Sequence, residues 1–180
     1  MRKSGLFMPV LAVLVLAVVA GMALPVTTED KRISNPTGFS IEVPTGWTVV
    51  TNAKPGTKGP PVMEINGPEA SGAEFKVFAT QWKGKTLAQS AESFRKEVAG
   101  DPECYGSVKI LTDESVSIGR LKGHRFVWTY TLEEKNLKAH TTLLVQSEIE
   151  FSLTTSVSAK DYDKMAPVLE KLAQSFRLDK

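Results

Sequence analysis

An α+β domain, one antiparallel sheet of about six to seven strands flanked by helices, is the fold this sequence predicts. Three observations carry it. Runs of strand length with alternating apolar and polar residues recur along the chain. Two longer stretches, one in mid-chain and one at the end, have helical spacing instead. Three strand-like runs between 124 and 157 are joined by connections far too short for parallel crossovers, so they form an antiparallel meander.

The N-terminus stands apart from the fold. Arg2 and Lys3 precede an almost wholly apolar run, 6–20, and Gly21 and Ala23 are small residues of the kind a signal peptidase accepts. Residues 1–23 are therefore expected to be a secretory signal cut after Ala23. The alternative is an uncleaved anchor, because no charge occurs between Lys3 and Glu29 and about 20 apolar residues span a bilayer. Both readings hold the basic N-terminus inside and place the rest outside the cytoplasm, periplasmic or secreted. Residues 24–32 read as an exposed lead-in and 33–180 as one domain.

Of the 22 Lys+Arg in the 180 residues, two lie in that segment; without them 20 basic residues face 20 Asp+Glu. A neutral surface of mixed sign gives no basis for a nucleic-acid partner, and a membrane contact is expected only through residues 1–23 if they are retained. Cys104 is the single cysteine, so no disulfide forms within the chain.

Each element has its own warrant. A first strand begins at Ile33 and breaks at Asn35-Pro36-Thr37-Gly38; Phe39, Ile41 and Val43 then share one strand face. Pro44-Thr45-Gly46 turns the chain into a return strand from Trp47. The segment 51–61, with three prolines and no apolar period, reads as a surface loop, followed by strands at 62–65 and 73–82. Thr86 and Gln89 make a capping box for a helix whose stripe is Leu87, Ala91, Phe94 and Val98, ended by Gly100 before Pro102. Strands follow at 108–111 and 114–118, then at 124–132 with Phe126, Trp128, Tyr130 and Leu132 on one face. Residues 133–136 connect to the next strand, and 149–157 is the last of the meander. The closing helix spans roughly 159–176, with Tyr162, Met165, Leu169, Leu172 and Phe176 on one face; Pro167 should split off its first turn or mark its start.

The stretch "NPTGFSIEVPTGW", the mid-chain helix, the meander and the closing "SAKDYDKMAPVLEKLAQSFRL" together resemble the PsbP-like (Mog/PsbP/DcrB fold) superfamily, over 33–178. Gly38-Phe39, Pro44 with Gly46-Trp47, and Ser175-Phe176 are its most specific parts. The resemblance implies an α/β/α sandwich. It implies further a non-enzymatic accessory, adaptor or assembly factor that binds another protein, here one of the envelope. The chain lacks the lipid-attachment cysteine of cyanobacterial relatives. Trp47 and Phe176 read as plugs that specify the fold and not a reaction.

No catalytic residue, metal ligand or cofactor is assigned. The two histidines, His124 and His140, fall opposite Val145 and Thr129 if 133–136 is a four-residue turn, several residue pairs apart and unable to share a metal or a proton. Glu133-Glu134 is a turn, and Asp161 with Asp163 marks a helix start. Trp128 reads as core. Trp82 falls at a strand end beside Lys83 and Lys85, and these three are the candidate binding residues. The alternatives are a hydrolase or ligand-binding protein with its site in a groove between helix and sheet, and a membrane-tethered structural component. Convergent titratable side chains in a groove would favour the former.

Overall fold

The computed structural model describes residues 30–52, 60–100 and 106–179. The apolar N-terminal run with its expected cleavage site, most of the segment 51–61 read as a loop, Pro102 and Cys104 lie outside the described residues.

Among the described residues ten strands and two α-helices, with a short 3-10 turn at Glu69–Ser71, follow one another as β1 (Lys31–Asn35), β2 (Phe39–Val43), β3 (Thr48–Thr51), β4 (Met63–Asn66), β5 (Glu74–Gln81), α1 (Leu87–Gly100), β6 (Lys109–Ile118), β7 (Leu121–Leu132), β8 (Lys135–Gln146), β9 (Ile149–Ser158), α2 (Tyr162–Gln174) and β10 (Arg177–Leu178). The large sheet has seven strands in the order β3-β4-β5-β9-β8-β7-β6, every neighbour antiparallel. The strand at the N-terminus starts at Lys31, two residues ahead of Ile33 and within the stretch read as lead-in. The two runs at 108–111 and 114–118 are one strand, β6, interrupted by an irregularity in pairing between Ile110 and Thr112.

One expectation is corrected at the Pro44-Thr45-Gly46 turn. The chain does not return along β2 there. β1, β2 and β10 form a separate three-stranded sheet, and β3 pairs with β4 in the large one. Gly46, at φ 83°, supplies a backbone conformation that other residues resist, and Trp47 N–H closes the turn on the Pro44 carbonyl at 3.2 Å. The turn thus passes the chain between sheets, and the Trp47 ring, half-buried, packs against the core between them.

Two apolar cores lie on opposite faces of the large sheet. On one, α1 brings Ala91, Phe94 and Val98 onto Phe126, Trp128, Tyr130, Ala139 and Leu143. Leu132, expected on that face, is exposed because it ends the strand at the turn. The capping box forms: Thr86 N–H donates to Gln89 Oε1 at 2.9 Å and Gln89 N–H to Thr86 Oγ1 at 3.3 Å. On the other face, α2 and the small sheet bury Phe39, Ile41, Phe75, Val77, Phe151, Leu153, Leu169, Leu172 and Phe176.

Helix α2 is continuous from Tyr162 through Pro167 to Gln174, with neither the split first turn nor the start near Pro167 that the proline suggested. Pro167 removes only the bond to the carbonyl of Asp163 in the first turn, and the burial of Leu169, Leu172 and Ala173 holds the rest of the helix. The helix ends before Phe176. Ser175 ties its end to the small sheet: Oγ accepts from Glu42 N–H at 2.9 Å and donates to the Leu172 carbonyl at 2.8 Å.

The β7–β8 connection is shorter than expected. Leu132 pairs with Lys135, so Glu133 and Glu134 alone make the turn, both in the left-handed region at φ 48° and 63°. Two positive φ values define the turn type that suits Asn-Gly and not two glutamates. The double change Glu133→Asn with Glu134→Gly should therefore raise stability by about 1 kcal/mol. The check is the urea midpoint, which should rise with an unchanged slope; a fall would mean that the glutamates hold contacts worth more than the strain.

Candidate functional site

Strand β7 sends alternate residues to opposite faces, so Phe126, Trp128 and Tyr130 go to the core under α1 and Arg125 and Val127 to the side of α2. Helix α2 packs on β9 and β2 and leaves a groove between itself and β7–β8. Arg125, Val127 and His140 form the floor, and Tyr162, Asp163, Ala166, Pro167 and Glu170 form the helical wall. It holds about 540 Å³ and is open to solvent along its length.

The polar groups of the groove are coupled. Arg125 Nη2 donates to Glu170 Oε1 at 2.6 Å, and Gln174 Nε2 donates to the same oxygen at 3.0 Å. Arg125 Nη1 stands 3.9 Å from Glu114, beyond hydrogen-bond reach. Arg125 Nε is buried with no partner among the described residues. His140, 4% exposed, has Nε2 3.2 Å from Thr142 Oγ1 and Nδ1 3.7 Å from Glu170 Oε2. Burial, then the neighbouring Arg125 charge, push the imidazole down to about 4 against the pull of Glu170, so it is neutral at ordinary pH. Burial pushes Glu170 up, but hydrogen bonds from Gln174 and Arg125 outweigh it and hold the carboxyl below its usual range. At the rim, Lys138 Nζ lies 3.9 Å over the Tyr162 ring and 3.8 Å from Asp163. Burial, then Glu170, raise the Tyr162 phenol.

Thr142, His140 and Glu170 stand in the order of nucleophile, base and orienting acid. Thr142 is entirely buried in the sheet, however, and the His140–Glu170 distance is too long for a hydrogen bond. The groove therefore presents paired charges and, among the described residues, no exposed nucleophile beside the histidine. Among the described residues no three of His, Cys, Asp and Glu converge as a metal would need.

The histidines fall on opposite faces. His140 sits opposite Val127 and His124 opposite Leu143, each two residues from the expected register because the turn is two residues long. His124 Nε2 meets Asp113 Oδ1 at 2.5 Å, and Arg95 of α1 grips the same carboxylate at 2.6 and 2.8 Å. The Arg95 hydrogen bond, the largest influence, brings Asp113 down to about 2.

Trp82, Lys83 and Lys85 lie far from the groove, where β5 leaves the sheet. Trp82 N–H donates to the Glu148 carbonyl at 2.7 Å, next to the start of β9, whereas the groove lies near its end. The indole is half-buried and Lys85 Nζ sits 3.3 Å over it; Lys83 is exposed. Of the groove residues, His140 and Asp163 are weighed in the sequence, the one as a lone histidine and the other as a helix-start carboxylate, and neither is assigned a role. Arg125 and Glu170 were legible only as a charge on the outer phase of a strand and a charge on a helix.

A seven-stranded antiparallel sheet with a helix on one face, and a helix plus a three-stranded sheet on the other, is an α+β fold of the kind the PsbP-like resemblance implied. Comparison with solved structures bears this out. Cyanobacterial PsbP (CyanoP) from Synechocystis sp. PCC 6803 matches with a TM-score of 0.62 at 15% identity, over 91% of this chain and 98% of that one. LpqN of Mycobacterium tuberculosis, involved in cell envelope biogenesis, matches with a TM-score of 0.62 at 9% identity, over 84% and 91%. A Bacteroides thetaiotaomicron protein matches with a TM-score of 0.57 at 16% identity, over 85% of this chain and 49% of that longer one. No protein-family model matches the chain, and no curated protein matches it by sequence. These likenesses establish the fold, as the resemblance in the sequence had implied.

Proposed function

We propose that this protein is an exported, non-enzymatic accessory or assembly factor that binds another envelope protein, and that the groove between α2 and strands β7–β8 receives the partner. The observation that carries this reading is the groove itself: it is open and of a size that binding sites have, and although titratable side chains converge on it, as the hydrolase alternative would want, Arg125 and Glu170 are engaged with each other, His140 is neutral and 3.7 Å from Glu170, and Thr142 beside it is buried. The signal-like segment 1–23 supports export to the periplasm or beyond, and cell envelope biogenesis, the setting of LpqN, is of the same kind. Among the described residues no helix is long and apolar enough to cross a membrane, so attachment would rest on residues 1–23 if they are kept. Trp82, Lys83 and Lys85 are the second candidate surface, because the half-exposed indole and two basic side chains suit an interface.

The test is crosslinked capture of the tagged protein from its native envelope with mass spectrometry of its N-terminus and its partners, repeated with Ala166→Trp and with Trp82→Ala. A stoichiometric protein partner that is retained by Trp82→Ala and lost from Ala166→Trp, which fills the groove, is expected. Loss with Trp82→Ala alone would move the site to that loop, and recovery of the bait alone would overturn the reading.

A further inference from the structure

Resting on that reading, we infer that the groove recognises an uncharged stretch of extended main chain from its partner, and not an ionic ligand. The first argument is charge. Arg125 on the floor is positive and Glu170 and Asp163 on the wall are negative, while at the edge Lys138 adds a positive charge beside Asp163 and Glu114 a negative one beside Arg125, so charges of both signs stand together. A bound anion would meet the Glu170 carboxylate and a bound cation the Arg125 guanidinium, each in a partly desolvated setting where like charges repel strongly. A neutral segment meets no such opposition.

The second argument is hydrogen bonding. Arg125 has one close partner, on Nη2, and its Nη1 has none within reach among the described residues. The Tyr162 hydroxyl, on the same groove, has no hydrogen bond to a described residue; its ring contact with Lys138 uses the face. On the acceptor side, Glu170 Oε1 takes two donors, whereas Oε2 has only His140 at 3.7 Å. Unused donors, Arg125 on the floor and Tyr162 on the helical wall, and an unused acceptor, Glu170 Oε2, thus line the same groove, and the carbonyl and N–H groups of an extended chain require both kinds of partner.

The third argument is length. From Tyr162 to Glu170 the wall rises eight residues of helix, about 12 Å at 1.5 Å per residue, or roughly three to four residues of extended chain at 3.3 Å each. The ledge is too short for a helix of several turns.

The experiment uses the isotope-labelled protein, purified from the envelope in its native processed form, and follows its amide and arginine side-chain signals by NMR. Three probes are titrated: an acetylated, amidated tetra-alanine, sodium acetate, and tetramethylammonium chloride. The capped peptide should move the signals of Arg125, Val127, His140, Tyr162 and Ala166 saturably, and those shifts should vanish in Ala166→Trp, whose remaining spectrum reports that it is folded. Acetate and tetramethylammonium should produce no saturable shift there. Saturation by either ion with none by the peptide, or no movement by any probe, would overturn the inference. If the peptide fails while partner capture still depends on the groove, the proposed function stands and only this ligand class falls; if capture is independent of the groove, the function falls as well.

Discussion

Replacing Phe176 by alanine should cost about 3–5 kcal/mol, the range for removing a fully buried phenylalanine. Phe176 is wholly buried and stacks on Phe39 at 5.2 Å while tilting against Phe151 at 5.3 Å. Phe39 belongs to the small sheet and Phe151 to the large one, so this ring is the joint between the two sheets. The ring cluster is further held by Phe39 and Phe151 at 5.8 Å, edge to face. The cavity would therefore open between the layers, where neither can collapse alone. Against a typical total of about 5–15 kcal/mol, the loss is large enough to leave the protein marginal at room temperature. Chemical denaturation is the check. A loss under about 0.5 kcal/mol, the usual scale for surface changes, would mean that the three rings are not a joint.

The second large effect is acid sensitivity from His140. Its folded-state value lies at about 4 and the unfolded value at about 6.5, so the unfolded chain takes the proton first as pH falls. The stability associated with a neutral buried imidazole is complete above 6.5 and is lost progressively down to 4. At about 1.4 kcal/mol for each pH unit between the two values, the full loss is on the order of 3 kcal/mol. Glu170 acts in the same direction over a lower window: its carboxyl is held below the usual range, so its contribution persists above the unfolded value and is lost beneath it. His140→Gln should therefore flatten the stability profile between pH 6.5 and 4 and leave the steeper fall below pH 4.5 in place. Equal slopes in both proteins across the upper window would show that His140 carries a proton in the fold already.

The strands and helices were legible where neighbours in sequence decide them. Phe39, Ile41 and Val43 announce a strand by alternation, Thr86 with Gln89 announces a helix start, and both form as read. What escaped depends on residues far apart in the chain. The separation of β2 and β3 into different sheets rests on β2 pairing with β10, whose Arg177 sits opposite Ser40, and nothing local to Pro44-Thr45-Gly46 signals it. Pro167 is tolerated because α2 is held by tertiary burial, which overrides the local preference. The groove was hidden for the same reason. Arg125 occupies the outer phase of an alternating strand, which normally faces water, and it joins a candidate site only when a helix 45 residues further on brings Glu170 across it.

The central claim, that a protein partner occupies the groove, is tested most directly by a photoreactive residue installed at Ala166 and, in a separate protein, at Lys85, each irradiated in the native envelope. The account predicts one covalent adduct of defined mass from position 166, carrying a peptide of the partner, and none of that mass from position 85. An adduct from position 85 with none from position 166 would contradict it and assign the contact to the Trp82 loop.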